Sequence, residues 1–247
     1  MIRRLFLSLV VLLSCMMLAH ASFTVVQTGG SGTGVTPSGN TLTITHGSTP
    51  ANGNAGIIVA SGNSGTASIS SITETGGTWT RATQNQNSTR GCFVEIWTLP
   101  NYSSASGNIT ITYSSSGIVR AAAYLEVSGF GGTITLDKSN NNNGTATTLD
   151  TGTTATTTHA TAFWINAYSD QGGTGSSPNN GYTISKQQSD SQTVITAIAA
   201  TKGVTTTGTA GGTVADVNTT GWVATAAAFY GTSTIDQSNL PIMGVGL

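Results

Sequence analysis

The sequence predicts an all-β fold, an antiparallel two-sheet sandwich, and three observations carry that expectation. Short runs rich in Val, Ile, Thr, Tyr, Phe and Trp recur between clusters of Gly, Asn and Ser, the pattern of strands and turns. No stretch has an apolar repeat of helical period. Charged residues make up only 7% of the chain, so hydroxyls and amides take the surface places that charge fills in ordinary globular proteins.

The chain opens with Arg3 and Arg4, an apolar run from Leu5 to Leu18 and then Ala19-His20-Ala21, the three parts of a secretory signal peptide. Residues 1–21 are therefore read as a leader, too short in its apolar run for the roughly 20 residues of a membrane span. Its removal leaves six basic against nine acidic residues, a net charge of −3. That balance attracts neither nucleic acid nor anionic lipid. Cys92 is the one cysteine beyond the leader, so no intramolecular disulfide is expected, and its strand setting makes it a small buried apolar residue.

Residues 22–34 read as a short strand, Ser22 to Gln27, followed by a glycine-rich tether over Gly29 to Gly34. Residues 35–231 read as a single sandwich domain, since no proline-rich or charged linker divides them. Within it, strands are expected at Thr41 to Thr45, Ile57 to Ala60 and Ser68 to Glu74, with a hairpin from Gly76-Gly77 into Thr78 to Arg81. The densest β signal lies between Gly91 and Phe130. There Cys92 to Leu99, Asn108 to Tyr113 and Ile118 to Val127 read as a three-stranded meander. The first run is apolar on both faces, so it is expected to be covered on both. Asp137 to Gly144, DKSNNNNG, reads as a polar loop. Strands resume at Ala160 to Tyr168, Tyr182 to Ser185, Thr193 to Ala200, Val204 to Thr207, Thr213 to Val217 and Trp222 to Tyr230. Residues 232–247 form a tail with an apolar end. Turn signals at this spacing point to a jelly-roll or immunoglobulin-like sandwich.

Gly77-Thr78-Trp79-Thr80-Arg81, Val94-Glu95-Ile96-Trp97, Asn108 to Thr112, Leu125 to Gly129, and Trp222 before Ala226 to Phe229 resemble uncharacterised β-sandwich modules of secreted bacterial surface proteins and phage structural proteins. The resemblance spans about Thr41 to Tyr230. It implies an extracellular structural or adhesive role and carries no catalytic residues.

Residue chemistry points the same way. His46, His159 and Cys92 lack ligand spacing, so no metal and no cofactor is expected. The glycine run at Gly30 to Gly34 lacks the features of a phosphate loop. Glu95 and Glu126, flanked by Trp97 and Tyr124, are the one pair with the makings of a glycosidase cleft; outward carboxylates paired with Arg120 or Arg81 are the plainer reading, and no enzyme is expected. Lys202, Asn166 and a glutamate are the conceivable set for an isopeptide bond, and Asp137 with Asn140 to Asn143 for calcium. Two function classes remain. One is a self-assembling extracellular or cell-surface filament subunit, a homopolymer in which Phe23, Val25 and Val26, or Ile242, Met243 and Val245, complete the sheet of the next copy. The other is a module binding surface glycans, with Trp79 as the exposed stacking residue.

Overall fold

The computed structural model describes residues 22–33, 38–192, 194–217 and 221–232. Residues 1–21, expected as a leader, and the apolar end, with Ile242, Met243 and Val245, lie outside them. The described strands are β1 (Thr24–Gly32), β2 (Thr41–Thr45), β3 (Ala55–Gly62), β4 (Ile69–Thr75), β5 (Thr80–Asn87), β6 (Cys92–Leu99), β7 (Ser106–Tyr113) and β8 (Arg120–Ser128). They continue with β9 (Thr135–Gly144), β10 (Thr148–Asp150), β11 (Ala162–Asp170), β12 (Thr183–Ser189), β13 (Thr196–Val204), β14 (Thr213–Ala215) and β15 (Trp222–Tyr230). All pairings are antiparallel. No helix among the described residues is long and apolar enough to cross a membrane.

The all-β expectation holds, but the layering differs from one two-sheet sandwich. Four sheets stack: β2-β7-β4, then β1-β8-β3-β6-β5, then β12-β13-β11-β15-β9, then the small pair β10-β14. The two five-stranded sheets face one another across a central core that includes Ile57, Val59, Val94, Ile96, Leu125, Ile165, Ala197 and Phe229. Each also buries its other face. Ile58, Phe93, Trp97 and Tyr124 meet Ile44, Ile109 and Ile111 of the three-stranded sheet, while Trp164, Tyr168 and Ile198 meet Leu149, Tyr182 and Val214. This double cover explains why β3, β6, β11 and nearly all of β8 and β15 are buried residue after residue, as strands covered on both faces must be.

The chain builds this stack by using one plan twice. Reading β1-β8-β3-β6-β5 beside β9-β15-β11-β13-β12, the two sheets have the same strand order in the same sequence progression. The outer layers follow: β2-β7-β4 corresponds to β10-β14 and the isolated bridge of Ser176 to Ala215. Irregularities correspond as well. β1 bulges between Val25 and Gln27, and β9 skips a residue between Leu136 and Lys138. β5 bulges between Arg81 and Thr83, and β12 between Ile184 and Lys186. A bulge is a specific local device, so its recurrence on equivalent strands marks a repeated unit. The sandwich body, which takes in β1 ahead of the expected start at residue 35, is thus two similar halves, β1–β8 and β9–β15, welded by the central core.

Three further expectations are corrected. The Gly29 to Gly34 tether is strand up to Gly32, paired with β8 from Thr24 to Gly32. Its glycines serve close packing: a Cβ on Gly30 would meet Gln188 at 2.7 Å, and one on Gly32 would meet the Ser189 carbonyl oxygen at 2.4 Å, so β12 lies almost directly on this strand. The meander is absent, because β6, β7 and β8 alternate between two sheets. DKSNNNNG is the body of edge strand β9, where exposed positions tolerate amides that a buried strand would not.

Candidate functional site

Polar chemistry concentrates on the outer face of the first half. His46, just past the end of β2, meets the Glu74 carboxylate near the end of β4 at 2.5 Å from Nε2, and their side chains are 6% and 0% exposed. The Trp79 indole N–H donates to the other Glu74 oxygen at 3.1 Å. The imidazole stands edge-on to Tyr124, with ring centroids 4.9 Å apart, and to Tyr102 at 6.1 Å. Burial, first of all, pushes the hydroxyls of Tyr102 and Tyr124 well above the ordinary tyrosine range, with Glu74 and Glu126 adding to the effect. His46 Nδ1 is buried and without a hydrogen bond. It is turned inward, so the imidazole ties two strand ends together and presents no base to solvent.

Beside it, Glu126 on β8 fixes a loop. Its carboxylate accepts from the Ala51 N–H at 2.9 Å and from the side-chain amides of Asn54 and Gln27. Gln27 in turn donates to the Ser48 carbonyl and accepts from the Ser48 N–H, both at 3.0 Å. Held this way, Ser48, Thr49 and Pro50 form one wall of an open cleft of about 180 Å³, completed by Thr45, His46, Ala105, Ser106 and Gly107. Four of its eight lining residues, Thr45, Ser48, Thr49 and Ser106, carry hydroxyls that can hydrogen-bond a small polar group.

The other singled-out residues fall elsewhere. Glu95 and Glu126 share one face, but Glu95 stands opposite Ala60 and Glu126 opposite Gly56, on strands either side of β3. Ladder spacing places them about 16 Å apart, beyond the carboxyl separations that glycoside hydrolysis uses. Glu95 accepts from the Ile69 N–H at 3.0 Å and the Trp97 indole at 2.7 Å, with Arg81 at 3.8 Å. Burial raises its pKa against these three partners. Arg120 is fully buried, bonded to the Gly39 carbonyl at 3.0 Å and set over the Tyr113 ring, and it pairs with neither glutamate.

Trp79 is 6% exposed, which removes it as an exposed stacking residue, and Trp97, Trp164 and Trp222 are equally buried. Phe23 and Val25 pack into the chain's own central core, Phe23 lying 4.7 Å from the Phe130 ring centroid; only Val26, at the bulge, points outward. Lys202 donates to the Asn180 carbonyl and lies over the Trp164 and Tyr182 rings. Lys202 and Asn166 sit in the second half, whereas both glutamates face the outer layer of the first, so the isopeptide set is not brought together. Asp137 is bonded by Lys138, Thr158 and the His159 N–H; those bonds hold its pKa below the usual range despite burial. Its carboxylate oxygens are committed as acceptors to the loop before β11, and Asn140 to Asn143 run along β9. Cys92 is buried, and that burial pushes its thiol up to about 12.

Sequence reasoning missed the His46–Glu74 contact and the flank where β5 and β9 meet. Asn85 Nδ2 donates to the carbonyls of Asn142 and Ala224 at 2.7 and 2.8 Å, and Asn141 Nδ2 to that of Gln84 at 2.8 Å. The signal for this flank was the pair of amide runs Gln84 to Asn87 and Asn140 to Asn143. No family model, curated protein or solved structure matches the chain.

Proposed function

We propose that this chain is an exported structural subunit, built of two jelly-roll halves, that associates with copies of itself edge to edge. The observation that carries the reading is the flank formed by β5 and β9, two long strands lying side by side, each pairing with a strand on one side only. A free edge is a template for strand addition. Neither strand contains proline; Asn85 and Asn141 tie the two strands to each other, and Ser139 and Asn143 stand exposed along β9. The jelly-roll assignment is supported by the order β1-β8-β3-β6-β5 facing β2-β7-β4, in which successive strands alternate between sheets except at the β5–β6 pair. Export rests on the leader and the weakly charged, hydroxyl-rich composition. A cell-surface role of the kind implied by the resemblance to surface and phage structural modules fits the same features.

The edge contact replaces donation of the N-terminal strand, because Phe23 and Val25 already fill the chain's own core. Negative-stain microscopy and light scattering of the chain after the leader test it. Regular fibres or concentration-dependent oligomers are expected, and Ser139→Lys with Asn143→Lys on exposed β9 positions should abolish them without changing the unfolding transition. A monomer at all concentrations, or assembly indifferent to the lysines, would sink the reading.

The hydroxyl-lined cleft at His46 supports a second reading, in which the protein binds a surface glycan there. Binding on a glycan array that disappears in Ser48→Ala with Ser106→Ala is the expected result; an empty array dismisses it.

A further inference from the structure

The interface between the two halves is reciprocal. Strand β12 lies on β1 and β8 as β5 lies on β9 and β15, and β13 approaches β3 and β8 as β6 approaches β11 and β15. Since β1, β3, β5, β6 and β8 correspond to β9, β11, β12, β13 and β15, each half offers the other what it receives. That is an isologous contact of the sort that joins two-fold dimers. Between the last strand of the first half and the first of the second stand only residues 129–134, with Gly129, Gly131 and Gly132 at φ of 103°, 65° and 85°. This turn holds the halves back to back. Extended, six residues reach about 20 Å, enough to carry the second half away from its own partner.

We propose that the interface between halves also forms between chains, so that two copies exchange halves into a dimer, or pass them on in an open series. The partner is a second copy of this chain, and the surface is the pair of faces lined by Ile57, Val59, Val94, Ile165, Ala197 and Ala227. Exchange keeps the contacts between the two large faces and alters the turn, whose Phe130 is buried against Phe23 and Phe163 and must repack. The closed monomer is favoured by the high effective concentration of its tethered half, so exchange belongs to concentrated protein and to refolding. It is independent of the β5–β9 edge and would stand if that edge proved inert.

One pair of substitutions reads it directly. A Cβ on Gly203 of the second half would lie 3.9 Å from the Cβ of Phe23 in the first, within disulfide range. In Phe23→Cys with Gly203→Cys the bridge is intrachain in the monomer and interchain after exchange, and buried Cys92 stays out of the reaction. The chain is refolded at high concentration, oxidised and run on a non-reducing gel. Covalent dimers and a ladder are expected, whereas protein oxidised while dilute should remain monomeric on later concentration. Only intrachain bridges after concentrated refolding would overturn exchange. Should the double variant fail to fold, Gly131→Ala with Gly132→Ala serves instead. It strains the closed turn through positive φ and should raise the dimer fraction several-fold by light scattering; an unchanged fraction overturns the proposal. Adding Ser139→Lys and Asn143→Lys separates the two modes, since these remove edge association and should leave exchanged dimers intact.

Discussion

Glu126 shows how much one buried carboxylate holds in place. It collects three donors from the loop before β3 and from β1, and Glu126→Ala would leave them without an acceptor. The expected loss is about 2–4 kcal/mol, read as a lower urea midpoint at unchanged m-value; a loss within error would mean that the loop is held elsewhere. Glu95 makes a prediction with a sign. Burial raises its pKa in the folded chain, so the folded state binds its proton more tightly than the unfolded state does. That contribution is present below the ordinary glutamate pKa and is lost as pH rises through the raised one. Wild type should therefore lose ground relative to Glu95→Gln between pH 4 and pH 8 in paired denaturation curves, and a constant gap would refute the shift. At Cys92, whose thiol burial pushes up to about 12, a thiol reagent should react only as the protein unfolds.

At the scale of elements, strand identity was legible where packing demanded it. Cys92–Leu99, Thr41–Thr45 and Trp222–Tyr230 declare themselves because their apolar residues have nowhere to go except a core. Edge strands are harder to read. β9 carries four asparagines and its sequence reads as a loop, because one half-exposed strand imposes few demands on its side chains. The glycines of β1 misled for the opposite reason. They are there because β12 presses on that strand, a contact between segments more than 150 residues apart. Gly32→Ala should push the Ser189–Asp190 backbone away and lower stability by about 1–3 kcal/mol, measured as a fall in melting temperature; unchanged stability would show that β12 yields freely.

For the whole molecule the central core makes the halves mutually dependent. Residues 22–131 expressed alone would expose Ile57, Val59, Val94, Ile96 and Leu125 together, a patch too apolar for a soluble monomer. A dimer or an aggregate is expected by sedimentation, and a folded monomer with a cooperative transition would show that each half stands alone. The halves have also parted chemically. Where the first half has Glu126 opposite Gln27, the second has Ala228 opposite Lys138; where the first has Glu95 opposite Gln84, the second has Ile198 opposite Gln187. The cleft and its polar supports thus belong to one half, whereas the reciprocal interface belongs to both.

Alternation and turn chemistry by themselves determined that the chain is all-β and that Cys92–Leu99 is covered on both faces, because period and composition are local properties written along the chain. The alanine clusters at Ala121–Ala123 and Ala226–Ala228 sit on equivalent strands β8 and β15 but not at equivalent positions, so they did not disclose the repeat. Only the tertiary structure decided that β6, β7 and β8 alternate between two sheets, that Trp79 is buried, that Glu95 and Glu126 are kept apart, and that His46 reaches Glu74. Each of these depends on which strands become neighbours. That choice is made by two large apolar faces finding one another, and no short stretch of sequence contains it.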